Sequence, residues 1–214
     1  MTTIGTGTSA TTRRGVAGVA ESPRDPRRPF VLGLGGTHRS GSSTERALRA
    51  SLDGAARTGA DTLLLGAEEL RLPLFDPTSS ERTPAARRLL AAVAAADGLI
   101  LGSPAYHGGV SGLVKNALDY IEDLRDDARP YLDGRAVGCV VTAGGSQAAP
   151  VLTGLRSIVH ALRGWPTPLG VAVNTSGPVF GPDGSVADPK TAAQLEAVGR
   201  QVAEFAAQRR GAAV

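Results

Sequence analysis

The order in which apolar segments follow one another most constrains the fold of this chain. From Pro29 onward, apolar runs of strand length alternate with longer stretches whose apolar residues recur at helical spacing. This alternation predicts βαβ units, in which parallel strands form a sheet between layers of helices. The run Gly98–Gly102 is continuously apolar, as expected of a central strand covered on both faces. We therefore expect a three-layer α/β sandwich.

Five strand-helix units can be placed along the chain. Strands are predicted over residues 30–34, 61–65, 98–102, 136–142 and 169–173, and helices over residues 43–56, 84–96, 111–124, 151–162 and 189–208. The first and fourth strands end directly in the glycine turns Gly35-Gly36 and Gly144-Gly145. Because open parallel sheets bind ligands beyond the carboxyl ends of their strands, the loops after strands one, three and four are the candidate sites.

Residues 1–29 differ in composition from the rest of the chain. They are rich in Thr, Ser, Gly, Pro and Arg and have no apolar periodicity, so we expect a flexible tail followed by one domain over residues 30–214. The five arginines and two acidic residues of this tail account for the whole net charge of +3. A neutral domain with only 4% aromatic residues lacks the basic, stacking surface that nucleic-acid binding requires.

Other classes of protein are excluded by what the sequence lacks. No apolar run approaches the roughly 18 residues of a membrane helix, and the apolar stretch of the tail is shorter than an export signal. We therefore expect a cytoplasmic protein that does not enter a membrane. One cysteine, Cys139, and three histidines supply neither a disulfide nor a structural zinc site, so no metal is expected. Cys139 lies within a predicted strand, which favours a buried thiol.

The loop after the first strand predicts an anion site. It runs Gly35-Gly36-Thr37-His38-Arg39-Ser40-Gly41-Ser42-Ser43-Thr44, directly before a predicted helix. Free backbone N–H groups at a helix start, short hydroxyl side chains and the permanent charge of Arg39 all favour a phosphate group. Gly33-Leu34-Gly35 begins like a dinucleotide fingerprint, but the sixth position, counted from Gly33, is His38, and no Walker lysine follows. The alternative is that the hydroxyl residues only cap the helix.

The loop after the third strand, Ser103–Gly112, has the composition of a segment that lies against a flat ligand. Its glycines and its proline allow the backbone to come close to a ring. Tyr106 can pack against such a ring, and backbone N–H groups near His107 and Gly108 can donate to polar ring edges. An ordinary exposed loop is the alternative.

The two loops together resemble signatures of a known family. The string Ser103–Tyr120 resembles the flavin-loop signature of the NAD(P)H-dependent FMN reductase family, whose Pro-x-Tyr and Lys-Asn elements correspond to Pro104 through Asn116. The family's Gly-Ser-x-Arg-x-x-Ser phosphate loop corresponds to residues 36–42, with Thr37 in place of the usual serine. A glycine-rich loop after the fourth strand corresponds to Gly144–Ser146.

The resemblance, which spans roughly residues 30–174, implies a fold and a cofactor site. The implied fold is flavodoxin-like, with a five-stranded parallel sheet in the order 2-1-3-4-5. The implied contacts of the FMN phosphate are Thr37, Arg39, Ser42, Ser43 and Thr44. The implied contacts of the isoalloxazine ring are Pro104, Ala105, Tyr106, His107, Gly108 and Gly109, with Gly144, Gly145 and Ser146 closing its pyrimidine side.

The resemblance also implies an activity, in which FMN takes a hydride at N5 from NADPH or NADH. The flavin carries the electrons, so no catalytic acid, base or nucleophile is predicted. One implied role is the supply of reduced FMN to a flavin-dependent monooxygenase. The alternatives are a reductase of quinones, azo dyes or chromate with tightly held FMN, and a non-enzymatic electron carrier or redox sensor.

We expect a homodimer or homotetramer. The apolar but irregular stretch Leu72–Asp76 is predicted either to cap the flavin cleft or to contact a second subunit.

Overall fold

The computed structural model describes residue 25 and residues 27–212. Most of the predicted tail, residues 1–29, therefore lies outside the described residues. At its end, the guanidinium of Arg28 donates to the carbonyl oxygen of Gly59 at 2.8 Å and forms an ion pair with Asp61 at 3.1 Å. Arg28 is thus held against the segment that leads into the second strand.

The structure contains seven strands and five α-helices within the described residues. The strands are β1 (Phe30–Gly35), β2 (Asp61–Leu65), β3 (Gly98–Tyr106), β4 (Gly109–Val110), β5 (Ala136–Ala143), β6 (Trp165–Pro166) and β7 (Val171–Asn174). The helices are α1 (Ser43–Arg57), α2 (Pro84–Ala95), α3 (Gly112–Asp119), α4 (Ala148–Ala161) and α5 (Pro189–Gly211), and a 3-10 helix (Tyr120–Leu124) continues α3. No helix of this part of the chain is long and apolar enough to cross a membrane.

Side-chain caps explain where four of the helices begin. Ser42, Thr83, Ser111 and Asp188 each precede a helix and accept a hydrogen bond from the backbone N–H group three residues later. Such caps satisfy donors that the helix itself leaves without a partner. Pro84 and Pro189 occupy the first turns of α2 and α5, where the missing N–H group of proline has no cost.

The sheet has the predicted strand order. Its path runs β2-β1-β3-β5, and the position beyond β5 is shared by β6 and β7, all in parallel pairing. The fifth predicted strand, residues 169–173, corresponds to β7, and the short strand β6 precedes it at the same sheet position. Pro166 and Pro168 lie in and just after β6 and cannot donate to a ladder. The remaining strand, β4, pairs antiparallel with the end of β3 in a segment predicted as a loop.

Two apolar clusters fill the space on either side of the sheet. Side chains of α2, α3 and α4 pack on one face, and side chains of α1 and α5 pack on the other. The predicted three-layer sandwich is therefore confirmed. Cys139 lies in β5 and is fully buried, as predicted, and burial raises its pKa to about 12. At neutral pH this thiol is protonated and unreactive.

Helices α1 and α5 approach each other so closely that their contact requires glycine. A Cβ atom added to Gly199 would lie 1.7 Å from the carbonyl oxygen of Ser51, and one added to Gly54 would lie 2.4 Å from that of Glu196. These neighbours are backbone atoms, which cannot rotate out of the way. The contact between the two helices therefore fixes the position of α1 over the sheet.

Replacement of Gly199 by alanine tests this contact. We expect Gly199→Ala to lower the free energy of unfolding by about 3 kcal/mol or more, because overpacking against backbone forces the helices apart. The matched control is Gly154→Ala in α4, where an added Cβ meets no atom within 4 Å. This control is expected to gain about 0.5–1 kcal/mol from better helix propensity. Urea unfolding of both variants measures the difference, and equal effects would refute the packing assignment.

Candidate functional site

A cleft of about 510 Å³ opens at the carboxyl edge of the sheet. This volume lies within the range of about 300–1,000 Å³ that is usual for small-molecule sites. The end of β3 and the loops that follow β1, β5 and β7 contribute to its wall, as the parallel topology requires. The lining residues are Thr37, His38, Arg39, Ser42, Ser43, Thr44, Pro104, Ala105, Tyr106, Thr142, Ala143, Gly144 and Thr175.

Most of the predicted site residues line this cleft, and five do not. Every residue predicted to contact the phosphate is in the lining, as are Pro104, Ala105, Tyr106 and Gly144. The predicted residues outside the lining are His107, Gly108, Gly109, Gly145 and Ser146. The first three of these lie at the tip of a hairpin, and the other two lie beyond the first glycine of the turn after β5.

The loop after β1 owes its path to a glycine. Gly35 has a φ of +144°, and a Cβ atom there would lie 1.9 Å from the carbonyl oxygen of Gly102 in β3. The chain then turns across β3, where the N–H group of Gly36 donates to that same oxygen at 3.3 Å. This close approach brings the rest of the loop, and the start of α1, over the end of the central strand.

The hydroxyl of Thr37 shapes the loop from within. Its Oγ1 accepts from the N–H group of Arg39 at 3.1 Å and donates to the carbonyl oxygen of Arg39 at 3.2 Å. Thr37 therefore stabilises the turn that presents Arg39. The guanidinium of Arg39 is exposed and has no hydrogen-bond or ion-pair partner among residues 25 and 27–212. A permanent positive charge is thus free at the mouth of the cleft.

The amino end of α1 supplies further donors. Ser42 caps the helix and accepts from the N–H group of Glu45 at 3.3 Å. The N–H groups of Ser43 and Thr44 belong to the first turn, which has no acceptors of its own. Neither of these N–H groups, nor the hydroxyl of Ser43, has a partner within the described part of the chain. Together with the helix dipole, these donors favour a bound anion.

The one acidic side chain in this first turn is neutralised locally. The carboxylate of Glu45 is buried and accepts from Arg49 at 2.7 Å and from the N–H group of Gly41 at 3.0 Å. The charge of Arg49 and the Gly41 donor offset the negative charge of this carboxylate. Repulsion between Glu45 and an anion in the cleft is therefore reduced.

The loop after β3 is an ordered hairpin. Tyr106 pairs with Gly109 across a two-residue turn formed by His107 and Gly108, whose φ angles are 49° and 78°. Positive φ at both turn positions is the geometry that matches the twist of a β-hairpin. Tyr106 stands at the rim of the cleft with 56% of its surface exposed, so an apolar ring face is available there.

A buried serine anchors this hairpin to the fold. Ser103 Oγ donates to the carbonyl oxygen of Pro104 at 2.8 Å and accepts from the N–H group of Ser111 at 3.0 Å. Ser111 in turn caps α3. The tip of the hairpin faces the turn after β5, since a Cβ atom on Gly108 would lie 4.0 Å from Oε1 of Gln147.

Four lining residues were missed by the sequence analysis. These are His38, Thr142, Ala143 and Thr175. Thr142 and Ala143 end β5, and Thr175 follows β7, so each lies at the carboxyl end of a strand. That position is the signal in the sequence that would have found these three residues, because strand ends at this edge converge on one site.

The stretch Leu72–Asp76 does not line the cleft. Asn116 holds it from α3: its amide nitrogen donates to the carbonyl oxygen of Pro73 at 2.8 Å, and its amide oxygen accepts from the N–H group of Phe75 at 2.9 Å. Leu74 between them is 86% exposed. Of the two predicted roles, contact with a second subunit stays a prediction.

The cleft fits a ligand with an anionic group at one end and a flat ring at the other. Arg39 and the free N–H groups of α1 can bind the anionic group. The glycine turn after β5 is the part of the cleft that can lie beside the ring. A Cβ atom added at Gly144 or Gly145 would meet no atom within 4 Å, so the surface of this turn is open. The residues present therefore fit FMN. No cluster of three or more His, Cys, Asp or Glu side chains that would suit a metal ion occurs in the described ranges.

The fold and the cleft together define a flavodoxin-like α/β protein with a ligand site at the carboxyl edge of its sheet. The model of the family described as NADPH-dependent FMN reductase matches residues 29–177, which is more than half of the chain. The protein belongs to this family. The matched range includes every residue that lines the cleft.

Similar proteins support the same class. An FMN-dependent NADPH-azoreductase of Staphylococcus aureus is 40% identical over 91 residues, which are 42% of this chain and 45% of the relative. The corresponding protein of Staphylococcus haemolyticus is 40% identical over 84 residues, 39% of this chain and 42% of the relative. The matched part thus spans less than half of the length of these relatives.

Solved structures share the fold at low sequence identity. The flavoenzyme NAD(P)H:(acceptor) oxidoreductase FerB from Paracoccus denitrificans has a TM-score of 0.70 at 17% identity, covering 85% of this chain and 98% of FerB. An NADH:FMN oxidoreductase has a TM-score of 0.63 at 20% identity, covering 83% of this chain and 88% of that protein. At these identities the likeness establishes the fold.

The hairpin geometry generates a prediction about Gly108. We expect Gly108→Ala to lower the free energy of unfolding by about 1–2 kcal/mol, because an alanine there must adopt a left-handed conformation. Gly112→Ala is the matched control, since this nearby glycine has open space and no positive φ; its stability is expected to stay equal or rise slightly. Chemical denaturation measures both. A Gly108→Ala variant as stable as the control would contradict the assigned turn.

Proposed function

We propose that the protein is an NADPH-dependent FMN reductase whose flavin site is the cleft at the carboxyl edge of the sheet. The observation that carries this proposal is the set of donors without partners around the amino end of α1. These donors line the same cleft as the glycine turn after β5. Both lie within the segment that matches the family. Bound FMN supplies the chemistry, because it accepts a hydride from the nicotinamide and passes the electrons to an acceptor.

The chain's own residues position the cofactor in this proposal. Arg39 and the N–H groups of Ser43 and Thr44 bind the phosphate, while Thr37 and Ser42 hold the loop and the helix in shape. The hairpin from Pro104 to Gly109 contacts one edge of the ring, and Gly144, Gly145 and Ser146 approach its pyrimidine side. The five predicted residues that lie outside the cleft lining contact the ring edge in this proposal through their backbone N–H groups. No side chain is assigned a proton-transfer role.

An absorbance titration with FMN tests the proposal. We expect the purified protein to bind FMN, and anaerobic NADPH then to bleach the oxidised flavin band near 450 nm. A parallel addition of NADH measures the preference between the two nicotinamides. Binding without bleaching would instead support an electron carrier or redox sensor, and a failure to bind FMN would refute the assignment.

The free guanidinium of Arg39 gives a quantitative prediction. We expect Arg39→Gln to weaken FMN binding about tenfold, because a hydrogen bond between two charged groups at a partly exposed site contributes about 1.5 kcal/mol. The salt dependence of binding should fall in the same variant. Arg200→Gln on α5 is the control, since Arg200 does not line the cleft and pairs with Glu204. Equal affinities of the two variants for FMN would contradict the phosphate assignment.

A second candidate function is the reduction of azo compounds or quinones with tightly held FMN. It is favoured by the similarity to the staphylococcal relatives, which are FMN-dependent NADPH-azoreductases. The two functions differ in what happens to the flavin. Saturation of NADPH oxidation by free FMN would support a flavin supplier, for which a flavin-dependent monooxygenase is the proposed partner. Turnover of an azo dye or a quinone with FMN retained through gel filtration would support the second function.

The assembly and the compartment are also proposals. A homodimer or homotetramer is supported by Leu74, an exposed apolar side chain on a loop held rigidly by Asn116. The cytoplasm is proposed as the compartment because it contains the reduced nicotinamide nucleotides that the reaction needs.

A further inference from the structure

Two threonine hydroxyls form a buried pair at the floor of the cleft. Thr44 Oγ1, in the first turn of α1, lies 2.7 Å from Thr142 Oγ1, at the end of β5. The two residues are 1% and 5% exposed, and both line the cleft. Within the described residues neither hydroxyl has another hydrogen-bond partner. The pair therefore joins the amino end of α1 to a strand 98 residues further along the chain.

Counting donors shows that this pair is incomplete without a ligand. Each hydroxyl carries one hydrogen and two acceptor lone pairs. The bond between Thr44 and Thr142 uses one of the two hydrogens, so one O–H group remains without an acceptor. A buried donor that lacks an acceptor is costly. An anion in the cleft would supply the missing acceptor.

The surroundings decide which hydroxyl faces the anion. Thr44 belongs to the same helical turn as the free N–H groups and lies beside the positive end of the helix dipole. Thr142 lies on the sheet, at the end of β5, and reaches the free donors of α1 only through its bond to Thr44 within the described residues. The arrangement that serves a bound anion best is therefore a chain in which Thr142 donates to Thr44 and Thr44 donates to the anion. Hydrogen bonds in such a chain strengthen one another.

We propose that Thr142 is a positioning residue, which donates to Oγ1 of Thr44 and thereby directs the O–H group of Thr44 to the phosphate of FMN. This inference rests on the proposed function, because it names a residue of the same site. Thr142 does not itself contact the phosphate. Its effect should therefore depend on two things, the presence of a phosphate on the ligand and the presence of the Thr44 hydroxyl.

The first experiment uses the isosteric variant Thr142→Val. Fluorescence titrations measure the dissociation constants of FMN and of riboflavin, which lacks the phosphate. We expect about threefold to tenfold weaker binding of FMN, the range of one neutral hydrogen bond, and unchanged binding of riboflavin. Thr142→Ser, which keeps the hydroxyl, is expected to retain the affinity of the unmodified protein for FMN. An equal loss for both flavins would show a general disturbance of the cleft and would overturn the proposal.

The second experiment is a double-mutant cycle. Once Thr44→Val has removed the directed hydroxyl, adding Thr142→Val should weaken FMN binding no further. Independent, additive losses would overturn the proposal, because they would mean that Thr142 acts on the ligand without Thr44. Thermal unfolding of each variant verifies that it is folded, and Thr142→Ala serves as the alternative variant if valine is not accommodated.

The outcomes separate this inference from the proposed function. If the unmodified protein fails to bind FMN, the proposed function is refuted. If the unmodified protein binds FMN and Thr142→Val binds it equally well, only the role of Thr142 is refuted.

Discussion

The close approach of β1 to β3 at Gly35 and Gly102 is the constraint on which the cleft depends. No side chain fits at Gly35, because its Cβ would lie 1.9 Å from the carbonyl oxygen of Gly102. Gly102 itself must lack a side chain because Leu48 of α1 occupies the adjacent space, with its Cγ 2.6 Å from the position of a Cβ. The two glycines therefore set both the path of the first loop and the height of α1 above the sheet. The tight crossing of α1 and α5 then holds the helix in that position.

The donors of the cleft follow from this placement. Because α1 begins at the carboxyl edge, its first residues line the cleft, where Thr142 reaches Thr44 from β5. The nearby carboxylate of Glu45 is engaged by Arg49 and the loop backbone. The result is a cleft that suits an anionic, flat ligand and has no carboxylate among its described lining residues. This arrangement suits a cofactor that carries its own redox chemistry.

The sequence predicted the strands and the phosphate loop for a physical reason, whereas the strand order followed from the family resemblance. Buried strands require continuous apolar runs, and phosphate sites at helix starts require small hydroxyl residues and glycine, so both leave visible patterns. Features that depend on backbone angles or on single side-chain contacts leave no visible pattern in the sequence. The hairpin turn rests on a positive φ at His107, which is uncommon for a residue other than glycine. Thr142 was missed because a threonine at the end of an apolar run is also an ordinary β-branched strand residue.

A crystal structure of the protein with FMN tests the central claim most directly. We predict the phosphate within hydrogen-bond distance of the N–H groups of Ser43 and Thr44, with the ring between the hairpin and the Gly144-Gly145 turn. FMN bound elsewhere would contradict this claim. The clearest such result would be a phosphate in the second groove of the described structure, which is lined by Arg46, Arg49 and Arg57.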